Sequence, residues 1–423
     1  MIALLLTLAQ AAILHTELDT TIPLIHASIA FRGGYASDPQ GREGITAFLC
    51  KMLLRGTIIQ SRQELSAAFD DLGTTIFCET HADYTALHAT MLSRNAAPSL
   101  RLIKDVLEQP RFQEDECTIL RDEMIAQLDE EQNSDMSLAL SYSSHAAFGQ
   151  KHPYGHGAYG RKSTLRAITQ DQLRQHSART LHTQNAIILV SGDFQKDMIE
   201  SWVKNLGLSS VPLEAKTSAP STYQPSMTVI DKKERTQSQI IFTHPGPAIT
   251  KSAPLMIANH AFGGGMFSST LMREIRVNRG LSYGARSRFL FATEPYLWQA
   301  FLYPATKRTQ EAYELAWQLI RNWIQKGISQ DEFLFAQESL IKSADFQTNT
   351  PSKRLENKLH EVVFGLEEGF FAHEKDRIKN ITYPEVNAAL KAFFRPENIS
   401  VTLLGTHLKL DNSTHIDAAS INE

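Results

Sequence analysis

The apolar positions of residues 41–57, GREGITAFLCKMLLRGT, follow the repeat of an amphipathic helix. One buried face is formed by residues at helical spacing, namely Ile45, Phe48, Leu49, Met52 and Leu53. Gly56 stands where such a helix stops, because glycine tolerates the backbone conformation that closes a helix. The pattern predicts a helix whose second face carries Ala47, Cys50 and Lys51.

Two segments that lie 213 residues apart repeat one pattern of a capped helix, a short turn and a β-branched strand. The first is ITQDQLRQHSARTLHTQNAIILVSG, from Ile168, and the second is ITYPEVNAALKAFFRPENISVTLLG, from Ile381. Both begin with Ile-Thr, both place an Asn before the strand, and both end in Gly. We infer from this repeat that the chain consists of two similar α/β halves.

The segment between the two repeats, SSVPLEAKTSAPSTYQPS, is rich in Ser, Pro and Thr and has little apolar periodicity. Such a composition is typical of a linker. The predicted domains are therefore residues 1–208 and 227–423, joined by a linker over residues 209–226. Because clefts form between domains, a site shared by the two halves is expected between them.

Composition narrows the class of ligand. The 423 residues include 42 basic and 46 acidic side chains, which give a formal charge of −4. The basic residues do not cluster, so the chain has no stripe for nucleic-acid phosphates, whereas peptides and proteins stay open as partners. No later apolar run reaches the length of about 18 residues that a membrane span needs.

The N-terminal segment, MIALLLTLAQA, combines an apolar run with small residues at Ala9 and Ala11, as a secretory signal does. It has no basic residues before the apolar run and is short for a signal, so a first β-strand is the alternative. The segment favours a periplasmic or secreted location over a cytoplasmic one.

The three cysteines, Cys50, Cys78 and Cys117, are too few and too scattered for a disulfide framework. No pair among them has the short spacing of a zinc knuckle. We therefore predict that all three are thiols in the core.

Four ordered blocks resemble the pitrilysin/insulinase family of zinc peptidases, and within it the short processing-peptidase type. The blocks are GREGITAFLCKMLLRGT, KHPYGHGAYGRKSTLRAIT, NAIILVSGD and AFGGGMFSSTLMREIRVNRGLSYGARS. The resemblance implies an α+β fold of two homologous α/β domains, each a mixed β-sheet flanked by helices and related by internal duplication. It also implies that two chains pair, so that four domains enclose a peptide-sized chamber.

The zinc motif of that family, H-x-x-E-H, is erased in this chain. In the motif, two His on one helical face bind zinc, and the Glu takes a proton from the metal-bound water. The flanking residues align Ala47 and Lys51 with the two His and Cys50 with the Glu. Glu123 matches the family's third, more distant ligand, with Asp122 one position away. Since alanine and an ammonium group offer zinc no donor, we predict that this chain binds no metal and no cofactor.

The loss of the ligands suggests that a fixed positive charge stands in for the metal. If Glu123 occupies the position of the third ligand, the Lys51 ammonium is expected to pair with Glu123 or with Asp122.

Other histidines are not expected to restore a metal site. His145, His152 and His156 surround the sequence HPYG, which reads as a structural turn. His81 and His88 lie in CETHADYTALHATM, which is predicted to be one strand. Because they are seven positions apart, they are expected on opposite faces of that strand.

The second half keeps the residues that the family uses on the substrate. In REIRVNRGLSYGARS, Arg276 and Tyr283 match an Arg and a Tyr that hold the substrate carbonyl and its developing negative charge, across the chamber from the zinc. Outside this block, they would read as a charge on a helix surface and a half-buried strand residue. The glycines at 263–265 allow a close backbone approach and need no nucleotide to explain them.

Together these features predict a zinc-free subunit of a heterodimeric zinc metallopeptidase. The chain would supply Arg276 and Tyr283 in trans to a homologous partner that carries H-x-x-E-H and the zinc. Metalloendopeptidase activity, on a peptide or an unfolded protein, is expected only with that partner. The alternatives are a stand-alone peptide-binding pseudoenzyme and a structural core subunit of a larger complex. An active zinc peptidase with unusual ligands is disfavoured by Ala47.

Overall fold

The computed structural model describes residues 12–149, 152–208, 223–406, 408 and 411–421. The predicted signal or first strand at residues 1–11 therefore lies outside the described residues, as do residues 209–222 of the predicted linker. None of the described helices is both long and apolar enough to cross a membrane.

Within these ranges the chain forms eleven strands and fourteen α-helices. The strands are β1 Ile13–Leu18, β2 Leu24–Arg32, β3 Thr75–Thr80, β4 Tyr84–Leu92, β5 Ala186–Gly192, β6 Met227–Asp231, β7 Gln239–Pro245, β8 Ser282–Leu290, β9 Leu297–Pro304, β10 Ser400–Gly405 and β11 Thr414–Asp417. The helices are α1 Ile45–Leu53, α2 Arg62–Asp71, α3 Ala96–Glu108, α4 Glu114–Asn133, α5 Asp135–Phe148, α6 Lys162–Ala167, α7 Gln170–Thr180, α8 Lys196–Lys204, α9 Ala253–Asn259, α10 Thr309–Lys326, α11 Gln330–Ala344, α12 Pro351–Val363, α13 Glu374–Asn380 and α14 Tyr383–Phe393. Two π-helical segments, His260–Gly264 and Met272–Val277, interrupt the second half.

The strands form two mixed sheets that share one strand order. The first sheet runs β1-β5-β2-β4-β3, and the second runs β11-β6-β10-β7-β9-β8. In the first sheet β1 and β5 are parallel and the other three pairs are antiparallel. In the second sheet β6 and β10 are parallel, and the pairs β10–β7, β7–β9 and β9–β8 are antiparallel. The second sheet adds only β11, which pairs in parallel with the edge of β6. The fold thus confirms the α+β class, with two homologous halves related by internal duplication.

The repeated segments found in the sequence are α7 with β5 and α14 with β10. Each helix begins with a capping box, formed by Thr169 with Gln172 in the first copy and by Thr382 with Glu385 in the second. Every residue of β5 and of β10 is buried, as expected for central strands covered on both faces. The shared helix start and strand explain why the sequence repeat was visible.

Contacts divide the chain into two compact units that interleave along the sequence. The unit built on the five-stranded sheet includes Thr350–Val363, which is α12 and packs on β5 and β2. The unit built on the six-stranded sheet includes Ala126–Gly157, from which α5 packs on β7 and β10. The first unit thus takes α12 from the second half of the sequence, and the second unit takes α5 and the end of α4 from the first half. The boundaries predicted at residues 208 and 227 stay a prediction.

Helix α1 has the buried face that the apolar repeat predicts. Its five apolar residues at helical spacing are all buried, and the helix packs on β3, β4 and α7. The helix starts after Gly44, whose φ of 99° is left-handed, and Gly56 follows its end with a φ of 116°. Glycines with left-handed backbone conformations therefore flank both ends of the helix that carries the degenerate motif.

Candidate functional site

The degenerate metal position lies on α1 in the unit of the five-stranded sheet. Ala47 is 2% exposed, so its methyl group is part of the core. One turn later, the Lys51 ammonium lies over the Tyr159 ring, with Nζ 5.2 Å from the ring centroid. This is the geometry of a cation–π contact.

Arg55, rather than Lys51, provides the positive charge at this position. Its guanidinium donates to Glu116 Oε2 at 3.0 Å and to Glu123 Oε2, while only 8% of the side chain is exposed. Glu116 and Glu123 are seven positions apart on α4, and so share one face of that helix. The planar fork of arginine suits two carboxylates at once.

The predicted pair of Lys51 with Glu123 or Asp122 is therefore wrong. Within the described part of the chain, no ion pair within 4.0 Å joins the Lys51 amine to either carboxylate. The physical reason is the direction in which each side chain extends. Arg55 follows the end of α1 and turns toward α4, whereas Lys51 is turned toward Tyr159.

Two of the three predicted core thiols are joined instead. Cys50 on α1 and Cys78 on β3 form a disulfide, with their Cα atoms 5.7 Å apart. Cys117 is the free cysteine, and its burial raises the pKa of its thiol to about 11. The prediction of three core thiols is thus wrong for Cys50 and Cys78, because two isolated cysteines pair only through the packing of α1 on β3.

The residues at the motif positions do not form a zinc ligand set. Ala47 has no donor atom, and the Cys50 sulfur is bonded to another sulfur. The Glu123 carboxylate is bound by a guanidinium, and the Lys51 amine lies on an aromatic ring. Over the described ranges, no group of three or more His, Cys, Asp or Glu side chains is arranged to hold a metal ion.

An open pocket of about 250 Å³ lies beside this position. Three cationic side chains line it, Lys51, Arg55 and Arg62, together with one carboxylate, Glu123. The Cys78 side chain forms part of the wall. The pocket therefore carries positive charge in excess, where the aligned motif would have placed a metal ion.

His81 and His88 do not lie on opposite faces of one strand, as predicted. The segment is a hairpin of β3 and β4, and His81 lies in the turn between them. Nε2 of each imidazole is 3.0 Å from Glu79 Oε1. The hydrogen bonds from His81 and then His88 hold the pKa of the Glu79 carboxyl well below its usual range. The period-two argument failed because the chain reverses direction between the two histidines.

The HPYG segment has the structural role that was predicted for it. His145 Nδ1 lies 2.9 Å from the Gly155 carbonyl oxygen, and the Tyr154 amide donates to His152 Nδ1 at 3.1 Å. Gly155 leaves no room for a side chain, because a Cβ there would lie 1.9 Å from the Gly149 oxygen. These contacts close the turn that follows α5.

Arg276 and Tyr283 meet on the surface of the unit with the six-stranded sheet. The Arg276 guanidinium lies over the Tyr283 ring, 4.4 Å from its centroid, and 5.1 Å from the centroid of the Phe267 ring. Tyr283 is 73% exposed and Phe267 is 61% exposed. Among the described residues, no carboxylate forms an ion pair with Arg276. We call these three residues the Arg276–Tyr283 surface.

Two backbone irregularities position this surface. Arg276 lies on the π-helical segment Met272–Val277, in which the Asn278 amide donates to the Arg273 carbonyl. Tyr283 lies in a β-bulge, where the register of β8 against β9 shifts between Ser282 and Ala285. Single π-turns and bulges both turn side chains out of the regular repeat, and both are frequent at functional sites.

Gly284 leaves room for the Tyr303 side chain at the bulge, because a Cβ there would lie 2.1 Å from the Tyr303 hydroxyl oxygen and would displace that side chain. Phe267 is the residue that the sequence argument missed. It follows the glycines at 263–265, and only the fold brings its ring to the guanidinium.

The Arg276–Tyr283 surface can donate hydrogen bonds to an oxygen-bearing ligand. A guanidinium has five N–H donors and no acceptor, and a phenol adds one O–H donor. Among the described residues, no side-chain hydrogen bond uses the Arg276 guanidinium, so its N–H groups remain for a ligand. The arrangement fits a peptide carbonyl, a carboxylate or a developing oxyanion.

Two family models match the chain. Residues 16–161 match the model described as Insulinase (Peptidase family M16), and residues 167–340 match the model described as Peptidase M16 inactive domain. Among curated proteins, the chain is similar to the Helicobacter pylori protein named non-peptidase homolog YmxG. The two are 21% identical over 410 residues, which cover 95% of this chain and 93% of that protein.

Solved structures share the fold at low identity. A peptidase M16 inactive domain from Pseudomonas fluorescens superposes with a TM-score of 0.88 at 20% identity, covering 94% of this chain and 96% of that one. A chain of Complex III2 from Candida albicans gives a TM-score of 0.76 at 15% identity, covering 93% of each chain.

Proposed function

The chain belongs to the insulinase family, peptidase M16, and we propose that it is the zinc-free subunit of a heterodimeric metallopeptidase. The partner would be a homologous chain that carries H-x-x-E-H and the zinc. This chain would supply Arg276 and Tyr283 to the substrate in trans. One observation carries the proposal: Arg276 stacks on an exposed tyrosine and, among the described residues, has no carboxylate partner.

The chemistry assigned to this chain is binding and charge stabilisation. When water activated by the partner's metal attacks a peptide carbonyl, negative charge develops on the carbonyl oxygen. The Arg276 guanidinium and the Tyr283 hydroxyl would donate hydrogen bonds to that oxygen. Such donors act most strongly where the charge is greatest, so they lower the barrier rather than only tightening binding.

The comparisons support the inactive half of this proposal. The Helicobacter pylori relative is described as a non-peptidase homolog, and the Pseudomonas fluorescens structure as an inactive domain. The side chains at the motif positions also support an inactive chain, since neither Ala47 nor the disulfide-bonded sulfur of Cys50 can bind zinc or act as a general base.

A structural subunit of a larger complex is the second candidate. It is favoured by the shared fold with a chain of Complex III2 from Candida albicans. Exposed apolar side chains beside Arg276, those of Met266, Phe267 and Val277, would also suit a protein surface.

The first experiment purifies the chain alone and measures its metal content and its activity on a library of fluorogenic peptides. We expect no stoichiometric zinc and no cleavage. Tightly bound zinc at about one ion per chain, with cleavage that a chelator abolishes, would overturn the zinc-free assignment.

The second experiment mixes the chain with a zinc-bearing homologue from the same cells. We expect the mixture to cleave peptides faster than the homologue alone. A stable complex that cleaves no faster than the homologue would favour the structural subunit. If the chain binds peptides by itself and forms no complex with the homologue, the result would favour the stand-alone pseudoenzyme.

A further inference from the structure

Beyond the proposed peptidase role, we propose that the disulfide between Cys50 and Cys78 forms in an oxidising compartment and holds α1 against β3 at the degenerate metal position. The proposal concerns a covalent modification of this chain and does not depend on a partner. It rests on the placement of the two cysteines and on the contacts around them.

The two cysteines come from elements that pack against each other. Cys50 is buried on α1, at the position aligned with the general-base Glu, and Cys78 lies in the middle of β3. Their Cα atoms are 5.7 Å apart, inside the usual range for a disulfide. The sequence offers no nearer alternative, because Cys117 on α4 is buried and free.

The bond ties down an edge strand. β3 is the last strand in the order of its sheet and pairs only with β4 among the described strands. An edge strand has few constraints on its outer side. Cross-linking its centre to α1 therefore restrains the wall of the pocket that Cys78 lines.

The disulfide and the Arg55 ion pairs together connect α1 to its neighbours, as a bound metal would. In the aligned motif, a metal bound to α1 and to the position of Glu123 would connect α1 with α4. In this chain the Arg55 ion pairs join the end of α1 to Glu116 and Glu123 of α4, and the disulfide joins the middle of α1 to β3. The site is thus held together without a metal ligand.

The reaction that forms the bond removes two electrons and two protons from the Cys50 and Cys78 thiols. They pass by thiol–disulfide exchange to a disulfide-bearing oxidant, whose own sulfur–sulfur bond is reduced to two thiols. Such oxidants act in secretory and periplasmic compartments, whereas cytosolic thiols are kept reduced. The proposal therefore includes an extracytoplasmic location.

Cys117 provides an internal control in the same molecule. It is fully buried, and burial raises the pKa of its thiol, so the thiolate that would enter exchange is scarce. It should stay a thiol under conditions in which the other two cysteines are oxidised.

The test uses the full chain from its own cells, with thiols trapped by acid at lysis, then unfolded and alkylated with iodoacetamide. Peptide mass spectrometry should find only Cys117 alkylated, together with a linked peptide pair that contains Cys50 and Cys78. After reduction, all three cysteines should be alkylated. Alkylated Cys50 and Cys78 in the unreduced sample would overturn the proposal.

A second measurement tests the structural role. The midpoint of denaturant unfolding should fall when reductant is added to the wild-type chain, and it should match the midpoint of the double variant Cys50→Ala/Cys78→Ala. Reductant should leave the double variant unchanged, while Cys117→Ser should keep the response to reductant. A wild-type midpoint that does not respond to reductant would overturn the role of the bond in holding α1 against β3. None of these outcomes depends on peptide cleavage.

Discussion

The arginines of the degenerate metal position and of the Arg276–Tyr283 surface differ in exposure and in partners. Arg55 is 8% exposed and binds two carboxylates of its own chain. Arg276 lies on exposed aromatic rings and, in the described residues, has no carboxylate partner. A buried guanidinium bound by carboxylates of its own chain has used its donors within the fold, whereas an exposed one on aromatic rings keeps its hydrogen-bond donors for a ligand.

The two positions also differ in how their side chains are bonded within the chain. At the degenerate metal position, the Arg55 guanidinium is bound by two carboxylates and the Cys50 sulfur is bonded to Cys78, while Lys51 lies on the Tyr159 ring. At the Arg276–Tyr283 surface, a π-helix and a bulge distort the backbone to present two side chains outward. Single π-helical turns and β-bulges are both frequent at functional sites. Substitutions at these two positions, and at Glu79 in the hairpin of β3 and β4, test this contrast.

The largest effect is expected for Arg55→Ala. The change removes charged hydrogen bonds to Glu116, which is 17% exposed, and to Glu123, which is 49% exposed and can return to water. We therefore expect a cost of about 3 kcal/mol of unfolding free energy. Arg62→Ala is the matched control, because Arg62 is 44% exposed and lies 3.8 Å from Glu116, so its loss should cost less than about 1 kcal/mol. Chemical denaturation checks both variants. Equal costs would show that the ion pairs of Arg55 contribute no more to stability than those of an exposed arginine.

The next largest effect is expected for Arg276→Ala in the mixed complex with a zinc-bearing homologue. Loss of one oxyanion donor typically reduces turnover by about 10²-fold to 10³-fold. The loss should appear in kcat rather than in KM, because the contact strengthens in the transition state. Tyr283→Phe, which keeps the ring, should reduce kcat in the same manner.

Arg279→Ala is the control for this surface. Arg279 follows the π-helical segment of Arg276 by two residues, and its guanidinium is paired with Glu274 at 2.7 Å. It should leave the kcat of the mixed complex unchanged. If Arg276→Ala also leaves kcat unchanged while the mixture cleaves peptides, this chain contributes shape and not chemistry, and the structural-subunit proposal should take over.

A smaller effect is expected for Glu79→Gln, and it depends on pH. Hydrogen bonds from His81 and His88 lower the pKa of the folded Glu79 carboxyl below its ordinary value of 4.5. A lowered folded pKa stabilises the fold above the unfolded pKa, and this stability is lost as the pH falls below about 4.5. Because Glu79 is 41% exposed, solvent screening limits the contribution to about 1 kcal/mol or less.

Unfolding midpoints measured between about pH 3 and pH 7 test this prediction. Glu79→Gln should flatten the acid side of the curve relative to the wild-type chain. Glu200→Gln, at an exposed carboxylate that lies 3.5 Å from Lys196, is the control and should leave the slope unchanged. Parallel acid limbs for all three proteins would contradict a role for the hairpin contacts.

The smallest effect is expected for Phe267→Ala. Loss of one exposed cation–π contact costs about 0.5 kcal/mol, which is roughly a twofold change. The turnover of the mixed complex should fall by about that factor, since Tyr283 still supports the guanidinium. A loss as large as that of Arg276→Ala would mean that Phe267 itself contacts the substrate.

Much of the fold could be predicted because its signals are local. The apolar repeat of α1 and the capped starts of α7 and α14 depend only on residues within a few turns of one another. The duplicated segments then led to two related halves, which the shared strand order confirms. The hairpin of β3 and β4 was missed, because the short turn at His81 does not interrupt the alternation of apolar and polar residues.

The features of the candidate site also divide into those that the sequence predicts locally and those that depend on packing. The chemistry that Ala47 and Lys51 cannot perform follows from side-chain type, so the sequence alone determined that the zinc motif is gone. The bond between Cys50 and Cys78, and the choice of Arg55 over Lys51 as the partner of Glu123, were decided only by the tertiary structure. These depend on which helix packs on which strand and on how far each side chain reaches. Residues far apart in the chain share no local pattern, and only packing brings them within bonding distance.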